Sequence, residues 1–175
     1  MFQSFKIYQG GLNKVVYERV ERMYPWLLYI EKNEIPFIAI NRLQVNKAQI
    51  EEAKQMYGLR PLELPQGKFE QIILRSREFG LSIQDIDFTN QRLYDSELQR
   101  FKHFALSSQN SKALYGLTIT HQRLGMDVSM IEFSLHRELV QLYSGMTIEV
   151  EGDVPDIKTF LQHPVFLHLL GLEKN

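Results

Sequence analysis

Residues 35–58, IPFIAINRLQVNKAQIEEAKQMYG, decide the fold class. Ile35–Ile40 is a short apolar run rich in β-branched and aromatic side chains, which reads as a strand. Asn46 then stands where an N-cap belongs, before a helix carrying Ile50, Ala53, Met56 and Tyr57 on one face and stopped by Gly58. Outward on the N-terminal side, Trp26–Glu31 reads as a second strand, joined to the first by the polar turn Lys32-Asn33-Glu34. Before it, Leu12, Val15, Val16, Val20, Met23 and Tyr24 recur at three- and four-residue steps, so residues 12–24 predict an amphipathic helix. Pro25 ends that helix, because proline disfavours a helical conformation in the residue before it.

On the C-terminal side, Arg60–Leu64 is a short extended piece between Pro61 and Pro65. A helix follows from Lys68 to Phe79, with Ile72, Ile73 and Phe79 inward and Gly80 after it. The alternation of strand and helix over residues 35–88 points to at least one parallel crossover. Beyond it, Asp95–Leu106 predicts a helix and residues 107–112 (SSQNSK) a loop. Ala113–Arg123, Val128–Leu135 and Met146–Glu151 read as antiparallel strands, with Gly125 and Gly145 near the breaks. Glu138–Tyr143 fits a helix turn as well as a strand end, and a helix starts near Pro155 and is interrupted at Pro164. The expectation is a single α+β domain over residues 1–175, its helices packed on a mixed, mostly antiparallel sheet, with the alternation in 35–88 and antiparallel strands in 113–151.

Composition narrows the classes of function. The chain has 175 residues, 20 basic and 21 acidic, and 44% hydrophobic residues, a globular composition. The absence of cysteine excludes disulfide frameworks, thiolate metal sites and cysteine nucleophiles. The net charge of −1 divides into +1 over residues 1–91, +3 over 92–123 and −5 over 124–175, so the near-neutral sum is a cancellation. Met1–Gly11 carries no apolar core of a signal peptide, and the apolar runs Tyr24–Ile30 and Ile35–Ile40 fall far short of the roughly 20 residues that span a bilayer. A cytoplasmic protein of bacterial origin, with no membrane partner, is expected.

Three groups of residues carry candidate chemistry. Asp85 and Asp87 share one strand face, opposite Ile86 and Phe88, and Glu149, Glu151 and Asp153 repeat the pattern opposite Ile148 and Val150. If the two segments are neighbours, their oxygens suit one Mg²⁺ and phosphoester hydrolysis, with Asp85 and Asp87 as catalytic groups. Alternating acids and apolar residues are equally the pattern of any half-exposed antiparallel strand, in which case no cofactor is expected.

Residues 85–89, DIDFT, resemble the DxDxT signature of the haloacid-dehalogenase-like phosphatases. Ala105–Ser108 (ALSS) is similar to that family's apolar strand ending in Ser or Thr, and residues 152–156 (GDVPD) to its late acidic metal motif. The resemblance implies Asp85 as nucleophile and Asp87 as general acid/base, with Ser108, Asp153 and Asp156 in the remaining roles. The chain departs from the family's pattern: Ser82 and Gln84 precede the first motif where a buried hydrophobic strand belongs, the motif begins only at residue 85, and Lys112 is the nearest counterpart of the family's lysine. Three short fragments do not assign the chain to the family.

The second group is cationic. Arg92, Arg100, Lys102, Lys112 and Arg123 interleave with Tyr94, Phe101, Phe104 and Tyr115, and His103 adds a donor, a composition that single-stranded nucleic-acid sites use. The alternative is an amphipathic helix with Phe101 and Phe104 in the core and its cations solvated. The third group is histidine: His121 on a strand, with Glu132, Ser134, His136 and Glu138 on one face if their strand runs that far. No HExxH, P-loop, GxGxxG or GxSxG spacing is present. Val165, Phe166, Leu169, Leu170 and Leu172 form an apolar stripe that fits either a partner surface or a helix closing the core. The sequence thus leaves enzyme status open. It favours a non-catalytic binding or assembly module, acting through a surface patch on a protein partner or a second copy of itself, over a Mg²⁺ phosphoesterase or a nucleic-acid binder.

Overall fold

The N-terminal strand β1 (Phe2–Gly10), which patterning did not single out, is the one around which half the structure is built. The computed structural model describes residues 2–32, 35–90, 96–152 and 154–171. After β1 come α1 (Lys14–Met23), the hairpin β2 (Leu27–Lys32) and β3 (Ile35–Asn41), α2 (Lys47–Met56), β4 (Leu59–Pro61), α3 (Gln66–Leu74) and β5 (Ser82–Phe88). Then follow α4 (Ser96–Ser108), α5 (Ser111–Arg123), β6 (Val128–Leu135), β7 (Glu138–Tyr143), β8 (Thr147–Glu151), α6 (Ile157–Phe160) and α7 (Pro164–Leu169). The fold is α+β, with helices packed on mostly antiparallel strands. The chain forms two compact units: Met1–Glu63 with Gly145–Asn175, and Leu64–Ser144.

In the first unit β3 pairs with β1 from Phe5↔Asn41 to Gln9↔Phe37, and β2 continues beyond β3. The other edge of β1 takes β8 along Phe2–Lys6 and β4 along Tyr8–Gly10. Because β3 and β4 both run antiparallel to β1, from its opposite sides, they are parallel to each other. The expected crossover is therefore β3–α2–β4, with β1 between the two parallel strands. Asn46 makes a full capping box with Gln49, and Gly58 leaves the helix at φ +60°. One sheet face packs Tyr8, Tyr29, Ile38, Leu27 and Ile40 against Tyr17 and Val20 of α1 and Ala53 of α2. Val165, Phe166 and Leu169 of α7 are buried and Leu170 is half-buried, so that stripe closes the core; Leu172 lies outside the described residues.

In the second unit the order is β7-β6-β5, all antiparallel. The register slips by one between Ile83 and Asp85, where Gln84 is the extra residue. That bulge lets Ile83, Ile86 and Phe88 all point inward.

Three expectations are corrected here. Ala113–Arg123 is not a strand but the body of α5: Leu114, Leu117, Thr118 and His121 are its buried residues, a helical spacing, and the Asn110 side chain caps its start. The β propensity of Tyr115, Ile119 and the two threonines gave way to that period. Ala105–Ser108 likewise ends helix α4 rather than a strand, and the Ser108 hydroxyl donates to the Ala105 carbonyl. The face proposed through Glu132, Ser134, His136 and Glu138 is broken, because β6 stops at Leu135, which pairs directly with Glu138. His136 (φ +49°) and Arg137 (φ +71°) are the two residues of a tight hairpin turn.

Candidate binding clefts

The acidic and basic candidates of the second unit meet at one point. Asp85 and Asp87 lie on the same face of β5, opposite Glu132 and Met130 of β6. Lys102, reaching over from α4, puts its ammonium 2.9 Å from Asp85 Oδ1 and 3.9 Å from Asp87 Oδ1. Asp85 Oδ1 also accepts the Ile86 backbone N–H. Glu132 Oε2 accepts from Gln141 Nε2 at 2.7 Å, and Tyr143 donates to Gln141 Oε1. The two aspartates are thus partly exposed and share a cation, an arrangement worth about 1 kcal/mol or less. Glu149 and Glu151 lie in the other unit, opposite Ser4 and Phe2 on β1, while Asp153 falls outside the described residues. Asp156 caps α6 through Thr159. Among the described residues no three His, Asp or Glu side chains gather as metal ligands.

The other cations are dispersed. Arg100 and His103 are exposed on α4, and Phe104, expected in the core, stands 63% exposed on the same face. Lys112 opens α5 and Arg123 closes it, so about 16 Å of helix separates them. Arg92 and Tyr94 lie outside the described residues. His121 is wholly buried on α5, its ring 3.9 Å from that of Phe88 and nearly parallel to it. Its Nδ1 faces the Leu117 carbonyl at 2.7 Å, which fixes that nitrogen as the donor. Burial holds the His121 pKa below the usual imidazole value, against the upward pull of that hydrogen bond and with the help of the Lys102 charge.

Two of the clefts lined by described residues lie in the first unit. One, with a cavity volume of about 90 Å³, lies beside Gln9, Phe37, Leu62, Met146, Leu169 and Leu170; its lining also includes Pro36 and Glu63. The second, an open concavity with a cavity volume of about 80 Å³, is lined by Tyr24, Trp26, Gln49, Glu52, Ala53, Met56 and Tyr57. Local sequence builds this second cleft from two directions. Tyr24 is the C-cap of α1, extended (φ −128°, ψ 113°) ahead of Pro25, and the chain then turns Trp26 beside it with ring centroids 5.0 Å apart. Opposite, Gln49, Glu52, Ala53 and Met56 follow one face of α2, and Tyr57 is its C-cap. The Tyr24 and Tyr57 rings are 6.5 Å apart and inclined at 55°. Tyr57 is anchored by its carbonyl, which accepts the Tyr17 hydroxyl at 2.7 Å. Burial raises the Tyr57 hydroxyl pKa, and so do its hydrogen bond with Tyr24 and the Glu52 charge.

No residue of this cleft was a candidate from the sequence. Tyr24, Ala53, Met56 and Tyr57 read there as core faces of two separate helices. The signal that α2 carries more than a core face is that Ala53 alone among its residues is buried, while Met56 is 57% exposed.

Comparison of the chain with protein-family models, with curated proteins and with solved structures finds no match. Among the described residues no helix is long and apolar enough to cross a membrane.

Proposed function

We propose that the chain is a non-catalytic binding module whose recognition site is the aromatic cleft between the end of α1 and the last turns of α2. The observation that carries this reading is the lining itself. Three aromatic rings, a methionine and one carboxylate border an open concavity, and binding sites are concave, mostly apolar and marked by few polar groups. The lining contains aromatic surface, amide and carboxylate, and no nucleophile–base pair. The test is to record amide and indole NMR shifts of the full chain against a panel of small organic cations, anions and neutral molecules. Saturable shifts concentrated on Tyr24, Trp26, Ala53 and Tyr57 are expected. Shifts centred elsewhere, or none that saturate, would overturn the reading.

A second reading, binding of single-stranded nucleic acid, is supported by Phe104, exposed on the α4 face that also bears Arg100 and His103. It requires oligonucleotide binding that weakens as salt rises and is lost in Phe104→Ala. Undetectable or salt-insensitive binding sinks it.

A further inference from the structure

Resting on that reading, we infer that the ligand of the aromatic cleft is a methylated organic cation, of the quaternary-ammonium class. Three observations set the charge and the chemistry. The first is the sign of the lining: Glu52 is its one charged residue, so the cleft holds no cationic side chain for an anion to pair with. The second is that Glu52 is not spent elsewhere. It is exposed, and among the described residues no cation pairs with it; Lys54 pairs with Glu51 instead, at 3.4 Å. The third is the aromatic lining: Tyr24, Trp26 and Tyr57 all border the cleft, and since Trp26 is only 8% exposed the accessible aromatic surface comes chiefly from the two half-buried tyrosines. The negative face of an aromatic ring attracts a cation.

The same set argues against the other ligand classes. A small, strongly hydrated cation would lose its water shell against Ala53, Met56 and three rings that return few hydrogen bonds. A neutral apolar molecule fills the space but gives Glu52 no partner. A methylated ammonium satisfies both halves of the site: its methyl groups pack on the rings and Met56, and its diffuse charge faces Glu52 without needing directed donors.

Trp26 is the single tryptophan of the chain and lines this cleft, so fluorescence excited selectively at tryptophan rather than at the eight tyrosines follows its surroundings. The experiment titrates the full chain with choline chloride at constant ionic strength, and with 3,3-dimethylbutan-1-ol, its uncharged isostere. A saturable change with choline is expected, about fivefold weaker or more with the alcohol, and weakened about threefold by Glu52→Gln, an exposed substitution that spares the fold. Equal response to choline and the alcohol, or an unchanged response in Glu52→Gln, would overturn the cation while leaving the cleft a binding site. No response to choline, with another class of molecule shifting Tyr24 and Tyr57 in the NMR panel, would overturn it in the same way. Failure of every class overturns the cleft itself.

Discussion

Gly10 marks a position where one methyl group has no room. A Cβ there would sit 2.7–2.8 Å from the Tyr17 ring and hydroxyl. Tyr17 cannot swing aside: it is fully buried, stacked on Tyr29 at 5.9 Å, and its hydroxyl both accepts the Leu12 N–H and donates to the Tyr57 carbonyl. Gly10→Ala is therefore expected to cost about 1–3 kcal/mol in denaturant unfolding, the range for overpacking a fixed core. The neighbouring Gly11 amide is taken by the Gly58 carbonyl, so this glycine pair builds a junction between β1 and the end of α2. His121 supplies the second test at this scale. Its folded pKa lies below the ordinary value, so the unfolded chain binds the proton more readily and stability is lost as pH falls. The decline should begin below about pH 6.5, the unperturbed imidazole value, and continue towards the folded pKa. Replacing the ring by His121→Phe, which keeps an aromatic partner for Phe88, should flatten the melting temperature between pH 7.5 and 5 relative to wild type; an unchanged slope would remove His121 from the account.

Among the elements, α2 was fully legible and α5 was not. Asn46 and Gly58 bracket α2 as read, and the structure adds reciprocal bonds between Asn46 and Gln49. Asn46→Ala should lower stability by about 1 kcal/mol in thermal or urea unfolding, with a smaller loss for Asn46→Gly. In α5 the same kind of signal was present, Asn110 before a Leu114–Leu117–Thr118–His121 spacing, but Gly116 and the β-branched residues masked it. β1 was missed because its burial does not alternate: Ser4 and Phe5 are both buried, as are Ile7 and Tyr8, the pattern of a strand covered on both faces. The aromatic cleft was invisible for another reason. Trp26 and Tyr57 are far apart in sequence, and only the β2–β3 hairpin and the crossover through α2 bring them to one surface. Convergence of that kind comes from topology, which local periodicity does not encode.

For the molecule, the decisive fact is that the first unit is discontinuous in the chain. Its central strand pairs residues from opposite ends, Phe2 with Glu151 and Lys6 with Thr147, whereas the second unit is one continuous stretch. Closing so long a loop is an entropic cost that must be met before the pairing returns anything. A chain ending at Ser144 lacks β8 and should lose hydrogen-exchange protection along β1, while the amides of β5 and β6 keep theirs. Equal loss in both units would show that they do not form separately.

Strand β2 of the first unit and β5 of the second also have backbone groups taken up by side chains. Along β2 the Tyr29 backbone N–H donates to Glu21 Oε2 at 2.6 Å, and Lys158 holds that carboxylate in place. On β5, Gln109 donates to the Ile83 carbonyl, next to the bulge at Gln84 in the pairing with β6. Exposed strand edges are templates for intermolecular pairing, and here one backbone group of β2 and one of β5 are taken by a side chain from an adjoining helix or loop. Glu21 and Gln109 thus each withdraw one backbone group from pairing with a second strand.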